Sequence, residues 1–307
     1  MENEIIEENN IEDYNEPNKE DLFNDDNIEN FDENFEFLEI LGEGENQKGK
    51  WLSLKARSLD NNKLYFIKKF DEKLLEERKD LIQILNLIKQ NKHPNIINQI
   101  KYFFQKKSKS YYIIDEFLNS TDLQDYLKSY EEINKPIEET ILWNIFFQCA
   151  SILKFLHSHD IILQNIKLDN FLINEYNLIK LGNFTYSAIC SDENKLNSQI
   201  NSGLLYQSPE MINGLKYGKK TDIFSLGVVF YKLCFNQFPF DICKGEKGFI
   251  FFPKIKKKNK NISKKMEKII NKMLEFDEKN RPDSKELYQI ILENKNNNKN
   301  SIFKKNK

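Results

Sequence analysis

The stretch that decides the fold is residues 161–173, IILQNIKLDNFLI, followed closely by residues 179–188, IKLGNFTYSA. Both set polar residues among apolar ones, and the polar residues are notable for their amides: Gln164, Asn165, Asn170 and Asn183. Just upstream, Thr140 to His157 places Leu142, Ile145, Phe146, Cys149, Ile152, Leu153 and Leu156 on one face at helical spacing, which predicts a helix closing at His157-Ser158. Downstream, Asp222 to Phe235 is apolar nearly all round, the pattern of a helix buried inside a domain. Further upstream the period changes. Phe35–Leu41, Lys63–Phe70 (KLYFIKKF) and Tyr111–Phe117 (YYIIDEF) read as strands. Between the last two, Glu72 to Lys92 carries Leu75, Leu81, Ile82, Leu85 and Ile88 in a helical pattern. A strand-rich front half thus precedes a larger helical back half, an α+β chain.

Composition sets outer bounds. The chain has 307 residues, enough for one large domain or two lobes, and a formal net charge of −2. Residues 1–34 are rich in Glu, Asp and Asn without an apolar period, so a solvated acidic extension is expected there. Residues 293–307 are rich in Asn and Lys, and a disordered tail is expected. Cys149, Cys190, Cys234 and Cys243 show no C-x-x-C spacing and the chain has three histidines, which argues against a zinc site. Isolated thiols, an acidic start and apolar runs too short for a bilayer together lead to the expectation of a soluble, cytoplasmic protein.

The order of these segments, with specific residues at specific points, resembles the eukaryotic protein kinase domain of the Ser/Thr type. The resemblance covers about Phe35 to Leu292. Residues 161–173 resemble the catalytic loop H-R-D-x-K-x-x-N, and residues 179–188 the strand and turn that carry D-F-G. YQSPEMI at 206–212 is similar to the A-P-E segment, TDIFSLGVVFYKL at 221–233 to the buried helix that begins with an acid, and KNRPDSKEL at 279–287 supplies Arg281 as partner for Glu210. HPNII at 93–97 is a further match. The resemblance implies a two-lobed fold. A small antiparallel-sheet lobe with one main helix would span 35–117, and a larger helical lobe 118–292. It also implies structural roles for Glu210, Asp222 and Arg281.

What it implies for chemistry is a set of departures. Phosphoryl transfer needs cradled phosphates, held metal ions and an oriented hydroxyl. The catalytic Asp position holds Asn165, an amide that cannot take a proton, while Lys167 and Asn170 match the phosphate-contacting Lys and metal-binding Asn. The D-F-G Asp, the main metal ligand, is Asn183, and Mg²⁺ prefers carboxylate oxygen. Gly42 and Gly44 begin the phosphate cradle, but its third glycine is Gln47, Gly49 stands at a displaced position, and Glu45 adds negative charge. Lys68 matches the strand lysine. The helix position that should pair with it falls on Leu81, Gln83 or Ile84, none acidic, with Glu76, Glu77 and Asp80 about a turn or more away. An unpaired Lys68 is expected to be solvated. Phe66, where the family has Ala, either plugs the adenine pocket or turns into the front-lobe core. Asp115 takes the gatekeeper position before a hinge of Glu116, Phe117 and Leu118, and needs a partner such as Lys68. Leu172 would floor the adenine site. Leu163 stacks below Phe184, and Gln164 replaces the arginine that binds a phosphorylated loop.

The expectation is therefore a pseudokinase, a scaffold or allosteric partner needing neither ATP nor Mg²⁺, whose partner is a protein, for instance an active kinase. Two alternatives stand beside it. One is an active Ser/Thr kinase with atypical residues, resting on Lys68, Lys167 and Asn170. The other is a module that contacts nucleic acid or membrane through the Lys254–Lys265 run, which in a Lys-biased chain reads more simply as solvated surface.

Overall fold

A computed structural model describes residues 34–46, 49–72, 79–190, 196, 203–245, 248–253, 259 and 261–305. The acidic extension before residue 34, Glu76, Glu77, Gln47 and most of the Lys254–Lys265 run lie outside the described residues.

The front lobe is a five-stranded antiparallel sheet made of β1 (Phe35–Asn46), β2 (Gly49–Ser58), β3 (Leu64–Asp71), β4 (Gln99–Gln105) and β5 (Ser110–Glu116), in the order β1-β2-β3-β5-β4. Side chains alternate between its faces. Ile67 on β3, and Tyr112 and Ile114 on β5, point to one face, where Leu54, Ala56 and Phe103 join them. Phe66, Lys68 and Phe70 on β3, with Ile113 and Asp115 on β5, therefore share the other face. There Phe70 and Ile113 pack in one core with Leu81, Ile84, Leu85 and Ile88 of α1 (Lys79–Gln90). The spacing of those four residues is what gives α1 its buried stripe.

The second lobe is mainly helical: α2 (Leu123–Glu132), α3 (Glu139–His157), α4 (Pro209–Ile212), α5 (Lys220–Phe235), α6 (Lys264–Met273) and α7 (Ser284–Lys305). Short strands β6 (Thr121–Asp122), β7 (Ile161–Ile162), β8 (Phe171–Ile173), β9 (Ile179–Leu181) and β10 (Ala188–Ile189) frame the edge facing the sheet. A hairpin of β11 (Phe240–Gly245) and β12 (Gly248–Pro253) projects after α5. All residues from Thr221 to Tyr231 are buried, as the all-round apolar pattern predicts. Gly227 lets α6 approach closely, because a Cβ there would sit 2.9 Å from that of Met273. Among the described residues no helix is long and apolar enough to cross a membrane.

The backbone of α7 is helical through Lys305. Within it, Lys295 Nζ donates to Asn144 Oδ1 on α3 (2.9 Å) and lies 4.1 Å from the Phe147 ring centroid.

Candidate functional site

Five polar residues meet where the lobes face each other. Lys68 projects from the cleft face of β3, and its Nζ donates to Asn183 Oδ1 at 3.1 Å. Asn183 adopts a left-handed backbone (φ +67°), which Asn tolerates better than most residues. The same Oδ1 accepts from Thr185 Oγ1 (2.9 Å), and Asn183 Nδ2 donates to Asn170 Oδ1 (3.3 Å). Asn170 Nδ2 then donates to the Asn165 carbonyl (2.6 Å). Chemistry fixes the sense of this chain. An ammonium has only donors and a carbonyl only an acceptor, so both amides must run in one direction between them. The oxygens of Asn183 and Asn170 thus each face an N–H donor.

Lys68 is half-buried and bonded to Asn183, so the condition on which the sequence expects it to be solvated, an unpaired ammonium, is not met. Burial lowers its pKa to about 8, against the pull of the nearby Asp115 carboxylate. Burial raises Asp115 to about 6, with Lys68 opposing and Glu116 adding to the rise. Among the candidate helix positions, Leu81 lines the same small cavity as Lys68, Ile84 is fully buried in the core, and Gln83 is exposed. Asp80 is engaged elsewhere: its Oδ2 accepts from the Ile189 amide of β10 at 3.2 Å.

The loop between β7 and β8 is held from below. Asp222, at the start of α5, accepts from the Leu163 and Gln164 amides (2.9 and 3.0 Å) and contacts His157 Nε2 (2.9 Å). These bonds secure Gln164 in a left-handed conformation (φ +62°). Gln164 Oε1 accepts from Tyr217 OH at 2.7 Å, so the position where the family holds a phosphate-binding arginine is an internal link here. Lys167 Nζ binds Asp169 Oδ2 at 2.7 Å. Leu163, Phe184 and Leu85 belong to one continuous core. Arg281 and Glu210 form a bidentate pair (2.6 and 2.9 Å), and the guanidinium also donates to the carbonyls of Glu275, Lys220 and Phe276.

The remaining positions expected of a nucleotide site lie on β1, β2, β3 and β8 and at and just after the end of β5. Phe66 is half-buried on the cleft face, with its ring centroid 5.5 Å from Lys68 Nζ, and it is not among the residues of the front-lobe core on the opposite face. Gly42 pairs with Ser53, and the Trp51 ring comes within 3.5 Å of where a Cβ on Gly42 would lie. Gly44 pairs with Trp51, and Gly49 opens β2 opposite Asn46. Glu116 Oε1 accepts from Lys180 Nζ of β9 (2.8 Å) and from the Asn98 amide (2.9 Å). Leu118 is half-buried beyond it. Leu172 is half-buried between two buried neighbours, Phe171 and Ile173, which places it on the opposite face of β8.

Sequence reasoning missed Thr185, Asp169, Lys180 and Gln99. Asp169 and Thr185 stood within two residues of positions already singled out. Lys180 and Gln99 come close to the site only through strand pairing, which leaves no local signal.

Comparison with known proteins agrees with this architecture. The protein kinase domain family matches residues 35–291. The chain is 28% identical to cyclin-dependent kinase-like 2 of Oryctolagus cuniculus over 216 residues, 68% of this chain and 36% of that one. It is 33% identical to NUAK family SNF1-like kinase 2 of Rattus norvegicus over 211 residues, 67% of this chain and 32% of that one. It is 26% identical to serine/threonine-protein kinase Nek2 of Homo sapiens over 271 residues, 85% of this chain and 59% of that one. The chain spans less than two thirds of the length of each of these relatives. With the sheet, the buried α5 and the Arg281–Glu210 pair in place, the match over residues 35–291 makes this chain a member of the protein kinase domain family.

Proposed function

We propose that the chain is a pseudokinase: a kinase-fold scaffold or allosteric partner with little or no phosphotransfer, acting on another protein through its helical lobe. An active kinase is one such partner. One observation carries this reading. The Asn183 amide is used at both ends, its oxygen by Lys68 and Thr185 and its nitrogen by Asn170. An oxygen accepting from an ammonium and a hydroxyl offers poor coordination to Mg²⁺, a cation that prefers carboxylates. Asn170 Oδ1, the second expected ligand, faces an N–H. This donor set does not fit a magnesium ion. Asn165 cannot serve as a base, and loss of a positioned base removes ~10²–10⁴ in rate. Neither ATP nor Mg²⁺ is then needed for the role.

The test is a phosphotransfer assay on purified protein with Mg-ATP. The expected outcome is background turnover that Lys68→Met leaves unchanged. Robust Mg-ATP-dependent turnover that Lys68→Met abolishes refutes the proposal. A second reading, an active protein Ser/Thr kinase, is favoured by the retained Lys68, Lys167 and Asn170 and by relatives named as kinases. It requires a thermal shift with ATP and Mg²⁺, and no shift at millimolar nucleotide counts against it.

A further inference from the structure

Behind the Lys68–Asn183 contact lies a small chamber of about 20 Å³. Its α1 side is apolar, with Leu81, Leu85 and Ile88, while Lys68, Asp115 and Thr185 supply polar groups. Gln99 also lines it. Gln99 opens β4 directly opposite Asp115 in the β4–β5 ladder, so both side chains stand on the same face of the sheet. It is only 7% exposed. Among the described residues, neither its Oε1 nor its Nε2 has a hydrogen-bond partner. A buried amide satisfied at neither end is costly, and native structures rarely keep one without water.

Size and chemistry name the ligand. A water needs roughly 10–15 Å³ of such space and two to four polar partners. The chamber meets the first condition and excludes anything much larger. Gln99 offers a donor and an acceptor, Asp115 an acceptor and Lys68 a donor. We propose that the chamber is a binding site for a single ordered water that bridges the Gln99 amide to the Lys68–Asp115 pair. The water is a polar partner for the pair on the side where α1 presents Leu81. This site does not depend on whether the chain transfers phosphate.

A crystal structure of the full chain, at a resolution where ordered water is visible, tests it. The expected result is a solvent peak within hydrogen-bond distance of the Gln99 amide and of Asp115 or Lys68. A dry chamber, or one filled by a rotated side chain, overturns the proposal. Gln99→Met gives a second reading that needs no crystal. If the amide is hydrated, its loss leaves the thermal unfolding midpoint unchanged or lower. If it is dry, removing an unsatisfied amide raises the midpoint, and that rise overturns the proposal.

Discussion

At residue 183 an amide nitrogen stands where an aspartate would carry its second carboxylate oxygen. That nitrogen links Asn183 to Asn170. Replacing Asn183 and Asn165 by Asp should therefore restore what the native site lacks. The expected outcome is a Mg²⁺-dependent thermal shift with a non-hydrolysable ATP analogue in the double variant and none in the native chain, read by differential scanning fluorimetry. The neighbouring charges predict a pH signature. Asp115 has its pKa raised from 3.8 to about 6, so the folded state holds a proton that the unfolded state releases, and its contribution to stability falls as pH rises from about 4 to 6. Lys68 has its pKa lowered from 10.5 to about 8, so the unfolded state binds the extra proton, and stability rises from about pH 8 to 10.5. Between these windows both groups are charged, Asp115 buried and Lys68 half-buried. Replacing the pair together, Lys68→Met with Asp115→Leu, should flatten both slopes in urea titrations across that range and leave stability near pH 7 equal or higher. The amide substitutions themselves were legible from the sequence, because a motif fixes their positions. That Asn170 links the Asn183 side chain to the Asn165 carbonyl was not, since it depends on a left-handed turn and on segments that only the fold brings together.

At the scale of elements, legibility followed periodicity. Helices α3 and α5 could be read directly, the first from one apolar face and the second from apolar residues all round. Strand β4 and the β11–β12 hairpin were missed. In β4, Gln99, Lys101 and Gln105 dilute the apolar signal, and a bulge between Gln99 and Lys101 breaks the alternation. Helix α7 packs on α3 through Tyr288 against Phe147, and beyond residue 292 its sequence is Asn and Lys rich, with no apolar period to read as a helix. The segments around α4, α5 and α7 are joined by the Arg281–Glu210 pair, whose guanidinium is fully buried. Arg281→Met strands a buried carboxylate. It should destabilise the protein by ~3–5 kcal/mol in urea unfolding, far more than neutralising an exposed pair such as Arg57–Glu36, worth ~0–1 kcal/mol. At Gly227 even one methyl group would press on Met273. Gly227→Val is expected to cost ~1–3 kcal/mol by overpacking, measurable in the same way.

Across the whole molecule, the lobes are joined by more than the hinge. Ile97 N donates to Leu181 O and Leu181 N to Asn95 O, at 2.9 and 2.8 Å. Asn95 Nδ2 donates to Gln148 Oε1 on α3 (2.7 Å) and to Ile179 O (2.8 Å). Asn95→Ala removes a buried donor from two acceptors and should lower stability by ~1–3 kcal/mol, while also loosening amide exchange protection at Leu181. The two-lobed architecture was legible because motif order survives even where the reactive groups do not. Its pattern of cross-lobe bonds was not, because each bond joins residues far apart in the chain.

The Lys68–Asn183–Asn170–Asn165 chain has a consequence of its own. It holds one cation and no anion among its linked side chains, so it does not work by opposite charges meeting through solvent. Ionic strength screens exposed charge pairs strongly and buried neutral contacts weakly. Molar sodium chloride and an excess of EDTA should therefore leave the Lys68–Asn183 contact in place, whereas a kinase fold whose lobes are drawn together by metal-bound nucleotide would relax in the chelator.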